Sequence, residues 1–156
     1  MISIFRGKHR FLSNFYPCHV KIYWEEMYFD TTEHAYQAAK TLDKTERLQI
    51  QQAATPGEAK KLGQKVSLRR HWNNIKNDIM LELVRQKFVF NYDLAQRLLD
   101  TKDQELVEGN TWHDNWFGSC VCLKCGDKGQ NWLGKILMEV RDQLNNVTHI
   151  TLTKKY

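Results

Sequence analysis

Thr31-Thr32-Glu33-His34-Ala35-Tyr36-Gln37-Ala38-Ala39-Lys40 is the stretch whose reading decides the fold. It follows an aromatic, β-prone run and opens a helix. At 3.6 residues per turn, Glu33, Gln37 and Lys40 fall within about 60° of one another on one face. Ala35, Ala38, Ala39 and Leu42 occupy the other side, where small apolar residues let a helix pack closely on a core. A carboxylate, an amide and an amine on one stripe suit a pocket wall. The same residues also suit a solvated, well-capped helix. Asp30 with Glu33 three residues on resembles a capped start, and Lys40 near the C-terminus is favourable for the helix dipole.

Upstream, His19–Tyr23 and Met27–Phe29 are β-prone and split by Trp24-Glu25-Glu26, which predicts a hairpin. Met1–Phe5 alternates weakly and suits a further strand. Phe11-Leu12-Ser13-Asn14-Phe15-Tyr16-Pro17 is rich in turn formers yet too aromatic for an exposed loop. It reads as a loop buried on the core or lining a cleft.

Downstream the chain turns helical. The first helix runs to about Leu42, and Asp43–Ala54 is a short polar one. Thr55-Pro56-Gly57-Glu58 starts another, with Thr as cap, Pro at the first position and Glu completing a capping box; Gly63 is its expected stop. Asn73 or Asn74 is the expected cap of a long helix. Its period is carried by Ile75, Ile79, Leu83 and Phe90, with Met80, Val84 and Lys87. Leu94, Leu98 and Leu99 mark a shorter helix and Glu105–Glu108 a short strand. Gly109–Gln130 is a polar, aromatic, cysteine-bearing loop, and Trp132–Leu144 the last clear helix. Thr148–Leu152 alternates and suits an edge strand or a mobile tail. The expectation is one α+β domain, predominantly helical with a small N-terminal hairpin, its core spanning about residues 5–144 and 145–156 forming a tail or edge strand.

Composition bounds the function. With 156 residues, 42% of them hydrophobic and 26% charged, the chain is long enough to bury a core. No stretch approaches the roughly 20 apolar residues of a membrane span, and Met1–Arg6 lacks a signal-peptide core, so a cytoplasmic protein is expected, with no membrane role. Lys plus Arg is 23 against 18 Asp plus Glu, and the net charge of +5 favours an anionic partner: a phosphorylated metabolite, a nucleotide or a nucleic acid. Nothing in the sequence implies an obligate protein partner.

Three groups of residues carry potential chemistry. Glu25, Glu26, Glu33, Glu108 and Asp114 lie in aromatic or polar neighbourhoods, where desolvation raises a carboxyl pKa towards general acid–base use. Convergent carboxylates are the usual equipment for breaking a glycosidic bond; surface acids and caps are the alternative. Arg69-Arg70-His71-Trp72 offers a phosphate fork and a stacking ring, or else solvated arginines and a core anchor. Cys120-Val121-Cys122-Leu123-Lys124-Cys125 supplies three thiols of a zinc site, which His113 or Cys18 could complete; reduced free thiols are the alternative. There is no P-loop, G-x-G-x-x-G or H-E-x-x-H.

From about Phe5 to Leu144 the chain resembles the NADAR, or YbiA-like, family. The matching segments are Phe11–Pro17, Thr31–Lys40, Thr55-Pro56 with Ala59–Gly63, Val66–Arg69 with Trp72, Lys87-Phe88, Leu106–Glu108 and Gly129–Arg141. The resemblance implies an N-glycosidase that needs no cofactor for catalysis. Glu33 would be its main acid–base or oxocarbenium-stabilising carboxylate, and Lys40 a nucleophile forming a Schiff base or a binder of substrate oxygens. Lys40 needs a lowered pKa to attack, which Glu33 opposes unless burial dominates. By the same residue-wise transfer Asn14 and Phe15 line the pocket, Arg69 holds phosphate, Trp72 stacks or packs, and Glu108, Asp114 and Asn131 complete a polar wall. Where the family commonly has Trp-Gly after the Asp, this chain reads Asp114-Asn115-Trp116-Phe117-Gly118.

Within the resemblance, the basic balance and the cysteine-bearing insertion favour ADP-ribosylated guanine in nucleic acid as substrate. Phosphoribosylamino-pyrimidine intermediates of riboflavin biosynthesis are the alternative, followed by a non-catalytic ADP-ribose-binding module. Zinc at Cys120, Cys122 and Cys125 would be structural.

Overall fold

A computed structural model describes the backbone of residues 1–153 and the side chains of residues 1–147. The chain is α+β and predominantly helical, and it divides into two compact units: residues 14–91, and residues 1–13 with the segment from Tyr92 onward.

The 14–91 unit begins with an antiparallel hairpin, β1 (Pro17–Trp24) and β2 (Met27–Thr31). Ile22 and Phe29 pair inward and are fully buried, while Tyr23 and Tyr28 pair outward with ring centroids 5.1 Å apart. The turn residues Glu25 and Glu26 have φ of 43° and 69°, the doubly left-handed backbone that a tight hairpin requires. Neither is glycine, and left-handed backbone costs an L-residue roughly 1–2 kcal/mol. Ion pairs made by Glu25, described below, offset that strain.

Helix α1 (Thr32–Ala39) follows without a linker. Its cap is Thr31, whose hydroxyl accepts the His34 N–H at 3.1 Å; Asp30, the expected cap, instead pairs with Lys21 at 3.0 Å on the surface. All eight residues of α1 are buried, which removes the solvated-face alternative. The helix ends at Ala39, short of the expected Leu42, which is exposed. α2 (Lys44–Gln51) is capped by Asp43, and α3 (Pro56–Gly63) by Thr55 with Pro56 at its first position, as the sequence predicts. Gly63 is the last helical residue of α3, but its role is contact: a Cβ there would lie 2.7 Å from Gln37 Cδ and 2.8 Å from Gln37 Cβ. The glycine lets α3 approach α1.

α4 (Trp72–Phe90) buries Trp72, Ile79, Met80, Leu83, Val84, Lys87 and Phe88 against β1 and α1. Neither Asn73 nor Asn74 caps it; His71, with φ of 59°, occupies that position and makes no side-chain cap. Phe90, expected on the apolar face, is exposed.

In the second unit the N-terminal residues form no full strand. Ile2 makes a single parallel bridge to Leu106, with Ile2 N–H donating to Glu105 O and Val107 N–H to Ile2 O, each at 2.8 Å. Glu105–Glu108 likewise contributes this bridge and no strand of its own. A 3-10 helix covers Gly7–Leu12 and takes in Phe11 and Leu12, the first two residues of the expected Phe11–Pro17 loop. α5 (Tyr92–Leu99) packs on α6 (Trp132–Thr153), and β3 (Gly109–Asn110) pairs in parallel with β4 (Ser119–Cys120). α6 runs through Thr148–Leu152, so that segment is helical and not an edge strand; residues 154–156 of the expected tail lie outside the described residues. No helix among the described residues is long and apolar enough to cross a membrane.

Candidate active site

The side chains that the sequence singled out on α1 are built into the 14–91 unit by three layers of contact. The first is at the helix start. The Asn14 carbonyl accepts the Glu33 N–H at 3.0 Å, so the aromatic loop is tied to a helix donor that has no partner within the helix. His34 locks the same turn. Its Nε2 lies 3.0 Å from Ala53 O and its Nδ1 2.7 Å from Thr31 Oγ1. The Nε2–H tautomer satisfies both, donating to the carbonyl and accepting from the hydroxyl.

The second layer holds the carboxylate. Glu33 is 7% exposed, and Gln37 Nε2 donates to its Oε1 at 2.7 Å. Close approach of Gly63 holds the Gln37 amide from behind. Among the described residues, the Asn14 side-chain oxygen and the Thr32 hydroxyl are buried without a hydrogen-bond partner. They stand at the two segments that meet at the Glu33 N–H. Buried polar atoms of this kind are normally satisfied, so they suit the hydroxyls of a bound ligand.

The third layer fixes Lys40, seven residues and about 10 Å along the axis from Glu33. The Lys40 carbonyl accepts the Arg69 N–H at 2.7 Å. Arg69 Nη2 lies 3.0 Å and 3.1 Å from the two oxygens of Glu25, and Arg47 forms a second ion pair to Glu25 Oε2. Arg47 Nε also donates to Thr41 O at 2.9 Å. Two arginines and a turn carboxylate therefore clamp the backbone at the end of α1.

The Lys40 amine is half-buried, its Nζ 5.5 Å from the centroid of Tyr36, whose ring lies 5.3 Å from that of Trp72. Burial pushes the Lys40 pKa below its ordinary value. Glu33 opposes this, while Lys60 and Lys76 add to the lowering. The competition posed by the sequence is thus resolved in favour of burial. Lys60 and Lys76 also mark a concentration of positive charge around the amine.

The remaining site candidates divide between the units. Asn14 is buried, its amide nitrogen 3.4 Å from Met80 sulfur, and Phe15 is partly exposed. Trp72 is 6% exposed and packs as a core anchor. Arg69 is committed on one nitrogen to Glu25.

Glu108, Asp114 and Asn131 belong to the other unit and make local contacts there. Asn131 Oδ1 accepts the Glu108 N–H at 3.0 Å, and Asn131 Nδ2 donates to Leu106 O at 2.9 Å. Asp114 Oδ1 accepts the N–H groups of Trp116 and Phe117, each at 3.1 Å, shaping the loop in which this chain departs from the family pattern. The cysteine segment of that unit brings His113, Cys120, Cys122 and Cys125 together, their ligand atoms all within 4.8 Å of one another.

The sequence reading gives Gly63, Thr32 and Lys87 no role at the site. Lys87 was assigned to the apolar period of α4, and it is 1% exposed, with Nζ 5.8 Å from the Tyr16 ring centroid and 5.2 Å from that of Phe88. A lysine on an apolar stripe was the available signal.

Comparison with known proteins agrees with this architecture. The sequence model of the NADAR domain matches residues 4–145. An N-glycosidase of Nostoc punctiforme is 40% identical over 144 residues, covering 89% of this chain and 88% of its own. N-glycosidase YbiA of Escherichia coli is 35% identical over 134 residues, covering 85% of this chain and 79% of its own. A riboflavin biosynthesis protein of Vibrio vulnificus is 36% identical over 139 residues, and the match spans 36% of that longer protein. The NMR structure of Escherichia coli YbiA superposes with a TM-score of 0.76 at 31% identity, covering 95% of this chain and 89% of that one. The chain belongs to the NADAR domain family.

Proposed function

We propose that this N-glycosidase hydrolyses the bond between ADP-ribose and guanine in modified nucleic acid. The observation that carries the reading is a buried carboxylate, Glu33, on α1 and, at the C-cap of the same helix, an amine, Lys40, whose ammonium form burial disfavours. Cleavage of a ribosyl C1′–N bond develops positive charge on C1′ and the ring oxygen. A desolvated carboxylate stabilises that charge far better than one in water. Glu33 either stabilises the oxocarbenium-like centre directly or takes a proton from the water that attacks it. The guanine nitrogen departs with a proton, and water supplies the new C1′–O bond. Lys40 engages substrate oxygens, or attacks C1′ itself as the free amine.

The positive surroundings of Lys40, together with the net charge of +5, support a substrate carrying a diphosphate and a nucleic-acid strand over a smaller, less charged one. A second reading, hydrolysis of phosphoribosylamino-pyrimidine intermediates, is favoured by the similarity to the Vibrio vulnificus riboflavin biosynthesis protein.

Incubation with ADP-ribosylated DNA and, separately, with the ribosylamino-pyrimidine phosphate distinguishes the two. Release of ADP-ribose from DNA is the expected result. Release of the free heterocycle from the pyrimidine alone identifies the second reading. Product binding without turnover of either overturns both in favour of a binding module.

A further inference from the structure

The cysteine-bearing loop of the 92–153 segment lies outside the proposed catalytic residues and has its own chemistry. His113 is exposed, Cys120 buried, and Cys122 and Cys125 half-buried. His113 Nδ1 lies 3.3 Å from Cys125 Sγ, 3.6 Å from Cys122 Sγ and 3.7 Å from Cys120 Sγ. A neutral imidazole nitrogen carries either one proton or one in-plane lone pair, so hydrogen bonding does not explain why it faces three sulfurs at once. Tetrahedral zinc does. With Zn–S near 2.3 Å and Zn–N near 2.0–2.1 Å, a nitrogen and a sulfur on one metal stand about 3.6 Å apart.

The backbone is shaped to the same end. His113 and Asp127 hold φ of 67° and 55°, and Gly126 holds 66°. Cys125 N–H and Gly126 N–H both donate to Cys122 O, at 3.1 Å and 3.0 Å, and the Asp127 N–H closes back on Cys120 O at 3.1 Å. Leu123 and Val121 are exposed, and of residues 120–125 Cys120 alone is buried. A segment with so little apolar burial gains its order from cross-links.

We propose that His113, Cys120, Cys122 and Cys125 bind one zinc ion in a closed, structural Cys3His site. Binding releases the three thiol protons and leaves no open coordination position for substrate or water, so the ion orders the loop and takes no part in hydrolysis. Cys18, the other candidate for the fourth ligand, directs its thiol to Tyr16 O at 3.9 Å within the 14–91 unit.

Elemental analysis of the full chain purified without chelator tests this, with thiol alkylation as a second readout. About one zinc per chain is expected, with Cys120, Cys122 and Cys125 protected until a chelator is added. Cobalt exchanged into the site should show the intense ligand-field bands of a tetrahedral thiolate complex. Cys125→Ser should lower zinc content at least tenfold. Should that variant fail to fold, His113→Cys serves instead: it should retain zinc and change the cobalt spectrum. Failure to bind zinc when it is supplied, alkylation equally fast with and without it, or a cobalt spectrum indifferent to His113→Cys overturns the assignment. So does a disulfide among the three cysteines in the freshly purified protein.

Discussion

Gln37 Nε2 donates to Glu33 Oε1 at 2.7 Å across one turn of α1, and Gly63 of α3 packs against the same amide. The carboxylate is therefore held by a chain of contacts that runs from one helix into its neighbour. A hydrogen bond to a charged acceptor is worth about 1.5–3 kcal/mol, enough to fix one rotamer of a buried side chain.

Gly63→Ala tests that chain of contacts. The added methyl meets Gln37 and must displace it, and overpacking of this kind costs typically about 1–3 kcal/mol. Chemical denaturation should show the loss in stability. Turnover should fall further than Gln37→Ala alone reduces it, since the backbone of α3 also shifts. Unchanged stability would refute the close approach.

Glu33→Gln removes the charge and keeps the shape. The turnover number should fall by about 10²–10⁴-fold, the usual worth of a positioned acid–base group, while ADP-ribose still binds. Parallel measurement of hydrolysis and product binding separates catalysis from recognition. A variant that retains full rate would exclude Glu33 from the chemistry.

Lys40 gives a pH prediction of definite sign. Burial lowers its folded pKa, so between that value and the ordinary lysine value the unfolded chain binds more protons than the native one. Stability contributed by this group accordingly rises with pH across that window, and the burial penalty is fully present below it. Lys40→Met should thus raise the melting temperature at neutral pH and abolish turnover. If the amine attacks C1′, borohydride added during turnover traps an adduct on Lys40. Active hydrolysis without an adduct assigns Lys40 to substrate binding.

Arg69→Ala should destabilise the chain by about 1–3 kcal/mol, because Glu25 loses a partner where it is only one-third exposed and the turn strain is less well offset. Glu25→Gln combined with Arg69→Ala should cost more than Arg69→Ala alone, because Arg47, buried and paired with the same carboxylate, then also loses its partner. Urea denaturation of the four proteins in the cycle measures the coupling.

The sequence by itself determined what short-range physics controls. The doubly negative hairpin turn, the Thr55-Pro56 helix start, the apolar period of Ile79, Leu83 and Met80, and the three closely spaced cysteines are all legible within a few residues. Capping and periodicity act over one or two turns, so they leave local marks. Tertiary structure decided the rest. Thr31 and Asp30 are equally good caps on paper, and only the hydrogen bonds of His34 to Thr31 and Ala53 select Thr31.

That α1 is a buried wall and not a solvated face depends on Gly63 and the Asn14 loop, which approach it from distant parts of the chain. The pairing of Arg69 with Glu25 joins residues 44 positions apart, and His113, not Cys18, meets the three cysteines. Such contacts are chosen by the balance of desolvation and packing over the whole fold, a balance that no single window of sequence records.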